Sequence, residues 1–266
     1  MNLFQDYQTM RFTRDQRILT ITMDCGDGRN AVTIRSHEEL ARVFDEVQRD
    51  PDSDVVILTG TQEAFSAGGD MAMFRDAPPG HDGPGFLSRV DAKRIIFSLI
   101  DLEKPIIAKV RGPAIGLGAS LALLCDVIFA AEGAVIADPH VRAGIVAGDG
   151  GAIMWPQLIG YARAKEYLLT GDPLSARDAA AIGLINHCVA DDKLDEAVAA
   201  FAQKLARGHQ KAIRWTKVAT NIGLKQLATA ITDTALAYEW MTFETADHRE
   251  AVNAFLEKRR PQFKGN

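Results

Sequence analysis

The sequence predicts an α/β fold, and three observations carry that expectation. "VVILTG" (Val55–Gly60) and "PIIAKV" (Pro105–Val110) are continuous apolar runs, as strands covered on both faces would be. Helical stretches alternate with such runs, which implies a largely parallel sheet with crossovers on its faces. From Ala162 onward the chain turns almost wholly helical, so the last hundred residues are expected to form a helical layer or subdomain.

The elements follow in order. Met10–Thr13 and "ILTITM" from Ile18 flank "RDQR" and read as a hairpin. Leu40, Val43, Phe44 and Val47 fall at helical spacing, with Thr33 or Ser36 able to cap the start. The buried strand Val55–Gly60 comes next, then the helix "FLSRVDAKRIIFSLIDLE", the strand Pro105–Val110 and a third strand, Val127–Ala131. "ARAKEYLLTG", "SARDAAAIG" and "KLDEAVAAFAQKLARG" are helical, and "LINHCV" alone among them looks like a strand. Leu236, Trp240 and Phe243 form an apolar stripe broad enough for helix packing. The Pro/Gly-dense "DAPPGHDGPGF" (Asp76–Phe86) suits either a mobile loop beside a site or a plain exposed linker.

Composition narrows the function. With 47% hydrophobic and 24% charged residues, the 266-residue chain reads as a soluble globular protein. A net charge of −5 and no basic stripe argue against nucleic acid. No apolar run approaches a membrane span, and "MNLFQDYQTMRFTRDQR" has no signal-like core. Cys25, Cys125 and Cys188 are odd in number and far apart, which fits a reducing cytoplasm.

Two loops of small residues follow buried strands: "TQEAFSAGGDM" and "RGPAIGLGASLALLCD". Ligands of open parallel sheets gather beyond the carboxyl ends of the strands. One backbone N–H from each loop would make an oxyanion hole. "GLGASL" lacks the third glycine of a dinucleotide fingerprint, and Ser120 lacks the strand and second glycine of a nucleophile elbow. No metal-ligand spacing appears among the six histidines.

"DPHVRAGIVAGDGG" (138–151) sets a histidine and an aspartate in glycine-rich sequence. A phosphate cradle, a surface turn and acid–base machinery are its three readings. A His–Asp pair can move a proton near neutral pH, because imidazole titrates there. Two structural alternatives stand beside that role: Asp149 as the cap of a helix starting near Gly150, and His140 as a hydrogen-bonded core histidine.

"AFSAGGDM", "KPIIAKVRGPAIGLGASLALLCDVIFAAEGA" and "GIVAGDGG" resemble the three signature segments of the crotonase, or enoyl-CoA hydratase/isomerase, superfamily. "RAKEYLLTGDPLSARDAAAIGLIN" and "AFLEKRRPQFKG" match its later helices, so the resemblance runs from about residue 10 to 264. It implies a crotonase-like ββα spiral core over residues 1–200 and a helical C-terminal trimerisation region over 201–266. Trimers of such chains often pair into hexamers.

The implied enzyme acts on an acyl-CoA thioester through an enolate held by the amides of Gly69 and Leu117. Coenzyme A is then part of the substrate, with no permanent cofactor and no metal. Substrate binding falls to Ala31, Ala67, Asp70, Met71 and Lys258. Where typical hydratases carry two glutamates, this chain has Ser120 and His140, which leaves Asp149, at an isomerase-type position, as the working carboxylate. "DPHVRAGIVAGDGGAIMWPQLIG" is similar to part of 6-oxocamphor hydrolase, a carbon–carbon bond hydrolase of the same superfamily. That partial similarity adds His37, His140 and Glu239 to Asp149 as catalytic candidates. It makes β-diketone hydrolysis the alternative activity, beside a catalytically silent family member.

Overall fold

The structure is a computed structural model that describes residues 4–61, 63–77 and 86–266. Strands β1 (Met10–Asp15) and β2 (Ile18–Met23) form the expected antiparallel hairpin. Helix α1 (Ile34–Arg49) follows, and both of its candidate caps are used. Thr33 Oγ1 accepts from the Ser36 amide at 3.2 Å, while the Thr33 amide donates to Ser36 Oγ at 2.8 Å. This reciprocal box satisfies two amides that a helix start leaves open.

Next come β3 (Val55–Thr59), the short α2 (Met71–Arg75), α3 (Arg89–Asp101) and β4 (Ile106–Val110). All five residues of β3 are buried, as its uninterrupted apolar run requires. Then follow β5 (Pro113–Ile115), α4 (Leu117–Leu123), β6 (Val127–Ala131) and β7 (Val135–Ala137). A 3-10 turn at His140–Ala143 leads to α5 (Gly151–Thr170), β8 (Leu174–Ser175), α6 (Ala176–Ala181) and β9 (His187–Val189). Past a second 3-10 turn, Asp191–Lys193, the chain ends with α7 (Leu194–Ala206), α8 (Gln210–Phe243) and α9 (Ala246–Leu256).

The main sheet has the order β1-β2-β3-β4-β6-β9 and is parallel from β2 onward. α7 lies against β2, β3, β4 and β6, and α1 packs against α3, which in turn meets α8. The principal core joins one face of the sheet to α1, α3, α4 and α5, with Phe44, Phe65 and Trp155 wholly buried in it.

A second sheet, β5-β7-β8, lies outside the sequence expectation. β5 and β7 are parallel, and Ser66 bridges Ala114, so the loop after β3 runs beside β5. α5 also begins eleven residues earlier than the helical pattern at Ala162, and it carries a break at Gly160. The stripe of Leu236, Trp240 and Phe243 is spent within the chain, against Phe86, Ala92 and Ile145. It is therefore not an outward packing face. The stretch 78–85 of the Pro/Gly-dense segment falls outside the described residues. Among the described residues, no helix is long and apolar enough to cross a membrane.

Candidate active site

The small sheet brings the two glycine-rich loops and the "DPH" segment together. β5 and β7 pair in register, Ile115 opposite Ala137, so the residues just beyond each strand emerge side by side. Gly116 donates its amide to Ala137 O at 2.9 Å. Its backbone, at φ +55° and ψ −123°, favours glycine and turns the chain into α4 with Leu117 as the first helical residue. The third neighbour is Ser66–Gly69: Ile115 donates to Ser66 O at 3.0 Å, and Phe65 and Ser66 both donate to Pro113 O.

This pairing leaves two amides unspent. The bridge between Val32 and Gly69 uses the Val32 amide on Gly68 O and the Asp70 amide on Val32 O. Neither bond consumes the Gly69 N–H. Leu117, first in its helix, has no carbonyl one turn earlier to receive its N–H. Both residues line one cavity of about 630 Å³. Ala31, Ala67, Asp70 and Met71 line it too, and Asp70 also caps α2 by accepting from the Ala72 amide at 2.9 Å. Lys258 is exposed beyond α9 and outside the cavity lining.

The four candidate acid–base side chains all reach this cavity. His140 follows β7, Asp149 precedes α5, His37 comes from the first turn of α1 and Glu239 from the last third of α8. The loop at 146–148 docks on α8, where the Val146 amide donates to Thr242 Oγ1 at 3.2 Å. That contact brings Glu239 against Gly148, one residue before Asp149. His140, Asp149 and Glu239 each offer an atom within 4.8 Å of the others. Among the described residues no other group of three such side chains lies so close together.

Asp149 is not a helix cap. The residue before α5 is Gly150, with no side-chain cap, and the carboxylate turns into the cavity instead. Ser120 Oγ donates to its Oδ1 at 3.0 Å, and His140 Nε2 lies 3.3 Å from its Oδ2. Ser120 is wholly buried on α4, as a small helix residue would be, but its hydroxyl is committed to this carboxylate. His140 is buried as a core histidine would be, yet it faces two acids. The second is Asp138, whose carboxylate contacts Nδ1.

Burial and charge sort these groups into distinct protonation states. Burial works to raise the Asp149 carboxyl, but the His140 cation and the Ser120 hydroxyl hold it below the ordinary value. Burial and then the charge of Asp149 push Glu239 well above the carboxylate range. Burial disfavours charge on His140, and the Asp138 and Asp149 carboxylates overcome it, leaving the imidazole well above its usual value. His37 has only the distant pull of Asp149, so burial lowers it to about 4. The surroundings therefore favour the ionised form of Asp149, the protonated form of Glu239, the charged form of His140 and the neutral form of His37.

Sequence reasoning missed Asp138. Its signal was present in "DPH", an acid two residues before a histidine at the end of an apolar run, but that pattern reads equally as a turn.

Comparison with known proteins agrees with this geometry. The enoyl-CoA hydratase/isomerase family model matches residues 13–266. A crotonyl-CoA hydratase of Syntrophomonas wolfei is 32% identical over 266 residues, covering 97% of this chain and 98% of its own. Among solved structures, an enoyl-CoA hydratase/isomerase from Mycobacterium paratuberculosis superposes with a TM-score of 0.87 at 37% identity, covering 93% of this chain and 99% of that one. A β-diketone hydrolase from the cyanobacterium Anabaena, bound to (S)-3-oxocyclohexyl acetic acid, gives 0.83 at 31%, covering 92% and 97%. With nearly the whole chain matched, this protein belongs to the enoyl-CoA hydratase/isomerase family and has the crotonase fold.

Proposed function

We propose that the enzyme takes an acyl-CoA thioester, holds its carbonyl oxygen between the amides of Gly69 and Leu117, and moves a double bond through an enolate. One observation carries this reading: two carboxyl groups, Asp149 and Glu239, are pushed in opposite directions beside a pair of unspent amides. Groups separated in this way take base and acid roles. Asp149 removes a proton from the carbon chain next to the thioester carbonyl. The released electron pair runs to the carbonyl oxygen, where preorganised amides stabilise it best. Glu239 returns a proton farther along the conjugated system, and a proton passing from Asp149 to Glu239 resets the site. Isomerisation ranks ahead of hydration because Ser120 and His140 occupy the two positions at which the resemblance places the hydratase glutamates.

The convergence of His37, His140, Asp149 and Glu239 on one cavity favours a second reading, hydrolysis of a β-diketone without CoA. Water would attack one carbonyl, the carbon–carbon bond would break, and the departing carbon would leave as an enolate protonated by Glu239. The 31% identical relative named as a β-diketone hydrolase supports it.

One screen separates these readings: crotonyl-CoA, isomeric 3-enoyl-CoAs and cyclic diketones, each followed by mass spectrometry and absorbance. An unchanged mass with a shifted double bond is the expected result. Gain of water with CoA retained means hydration, and ring-opened keto acid from a diketone overturns the ranking. Silence on every substrate means a catalytically silent member. The same proposal includes the division into a core (1–200) and a helical region (201–266), and self-association into trimers or hexamers. Trp215, Val218 and Ile222, an exposed apolar row on α8, support the association. Light scattering tests it, and a mass of 28.9 kDa would refute it.

A further inference from the structure

We infer that Asp138 is a positioning residue that locks His140 as a permanent cation, so that the imidazole holds Asp149 in place and does not itself carry the transferred proton. The inference rests on the proposed base role of Asp149 for its meaning, but on geometry alone for its chemistry. Both ring nitrogens of His140 face a carboxylate, Nδ1 toward Asp138 and Nε2 toward Asp149. A neutral imidazole has a single N–H, and its other nitrogen would aim a lone pair at a carboxylate oxygen. With both acids ionised, only the doubly protonated ring satisfies both sides. A histidine fixed in that form cannot accept a proton as a general base, whereas it can keep a neighbouring carboxylate ionised and aimed.

The groups around the ring are consistent with that lock. Glu239 on α8 and His37 on α1 line the same cavity. From α9, His248 places Nδ1 2.7 Å from the carbonyl oxygen of Ala143, in the turn that His140 begins. Asp138 and Asp149 are the carboxylates paired with the imidazole itself.

The second carboxylate oxygen of Asp138 shows how the lock is seated. Oδ2 is buried, with no hydrogen-bond partner among the described residues. It lies over Gly151, the first residue of α5, where a Cβ would come within 2.0 Å of it. The amide-rich, electropositive start of a helix favours an anion there. A side chain at 151 would therefore have to push aside the carboxylate that contacts His140.

Two variants and one direct measurement test this. In full-length protein carrying ¹⁵N-labelled histidine, long-range ¹H–¹⁵N NMR reads the protonation of each ring nitrogen of His140. The wild-type ring is expected to keep both protons from pH 6 to 8. Asp138→Asn, a neutral isostere, should lower the titration of His140 by about 1–3 pH units, the usual effect of one close opposite charge. Gly151→Ala keeps every titratable group and should shift His140 in the same direction. On whichever substrate the screen identifies, the alkaline limb of the kcat profile should move down by a matching amount in both variants.

A wild-type ring bearing a single N–H at pH 7 overturns the inference, even if both variants fail to fold. So does an Asp138→Asn protein with an unmoved titration. Unchanged kinetics in Asp149→Asn would remove the proposed function and leave the NMR result standing, so the two failures are distinguishable.

Discussion

Ser120 donates its hydroxyl hydrogen to Asp149 Oδ1 from the buried interior of α4. A position at which the resemblance places a hydratase carboxylate has thus become support for another acid twenty-nine residues on. Ser120→Ala removes one donor to a buried anion, an interaction of about 1.5–3 kcal/mol. The carboxyl of Asp149 then rises, and the acid limb of the kcat profile moves to higher pH. The limb should move by about 1–2 pH units with turnover at neutral pH little changed, which stopped assays across pH 5–9 will measure.

Asp149→Asn keeps the shape and loses the base. Turnover should drop by about 10²–10⁴-fold, the usual value of one positioned proton-transfer group. KM should change much less, because the amides of Gly69 and Leu117 remain. Steady-state kinetics at saturating substrate decide the point, and an unchanged kcat excludes Asp149 from the reaction.

Glu239→Gln copies the outline of a protonated carboxyl without an acid to give. Turnover should fall by about 10²-fold or more. Stability should respond with the opposite sign. The native state keeps the Glu239 proton that the unfolded chain releases above about pH 4.3, so native stability falls as pH rises through that window. Glutamine removes this loss. Urea midpoints at pH 8 are expected to be higher for the variant than for the parent, and a lower midpoint would mean that Glu239 is ionised in the fold.

His37 gives a separate acid limit. Its imidazole is lowered to about 4 by burial, so between roughly pH 6.5 and 4 the unfolded chain takes up a proton that the native chain refuses. Stability is lost as pH falls through that window, by about 3 kcal/mol when the whole shift is counted. His37→Gln should flatten this part of the curve of unfolding free energy against pH, as read by chemical denaturation. An unaltered slope would show that His37 is not neutral in the folded protein.

The parts of the fold that could be read in sequence are those with a period or a run. Val55–Thr59 announces a doubly covered strand, and Leu40, Val43, Phe44 and Val47 announce the inner face of α1. β5 and β7 could not be read, because three residues carry no periodicity and their pairing joins segments some twenty residues apart. Yet that pairing is what sets Gly116 beside His140. The start of α5 was hidden by Pro156 and by Gly160, a non-helical residue that breaks α5 into two helical stretches. Gly69, Leu117, His37, His140, Asp149 and Glu239, all named through the resemblance, line one cavity. Asp138 was not legible, since its role exists only once the 3-10 turn folds His140 back onto it.

The proposed base and the proposed acid of this cavity sit on separate parts of the chain: Asp149 on the loop entering α5, Glu239 on the 34-residue α8. That separation makes the outcome of the reaction adjustable by helix register. Moving the carboxyl one turn along α8 would slide the point of proton delivery by about 5.4 Å along the substrate. The amide pair, Asp149 and the histidine behind it would stay where they are. New regiochemistry can therefore arise from exchanges on one helix, without rebuilding the part of the protein proposed to make the enolate.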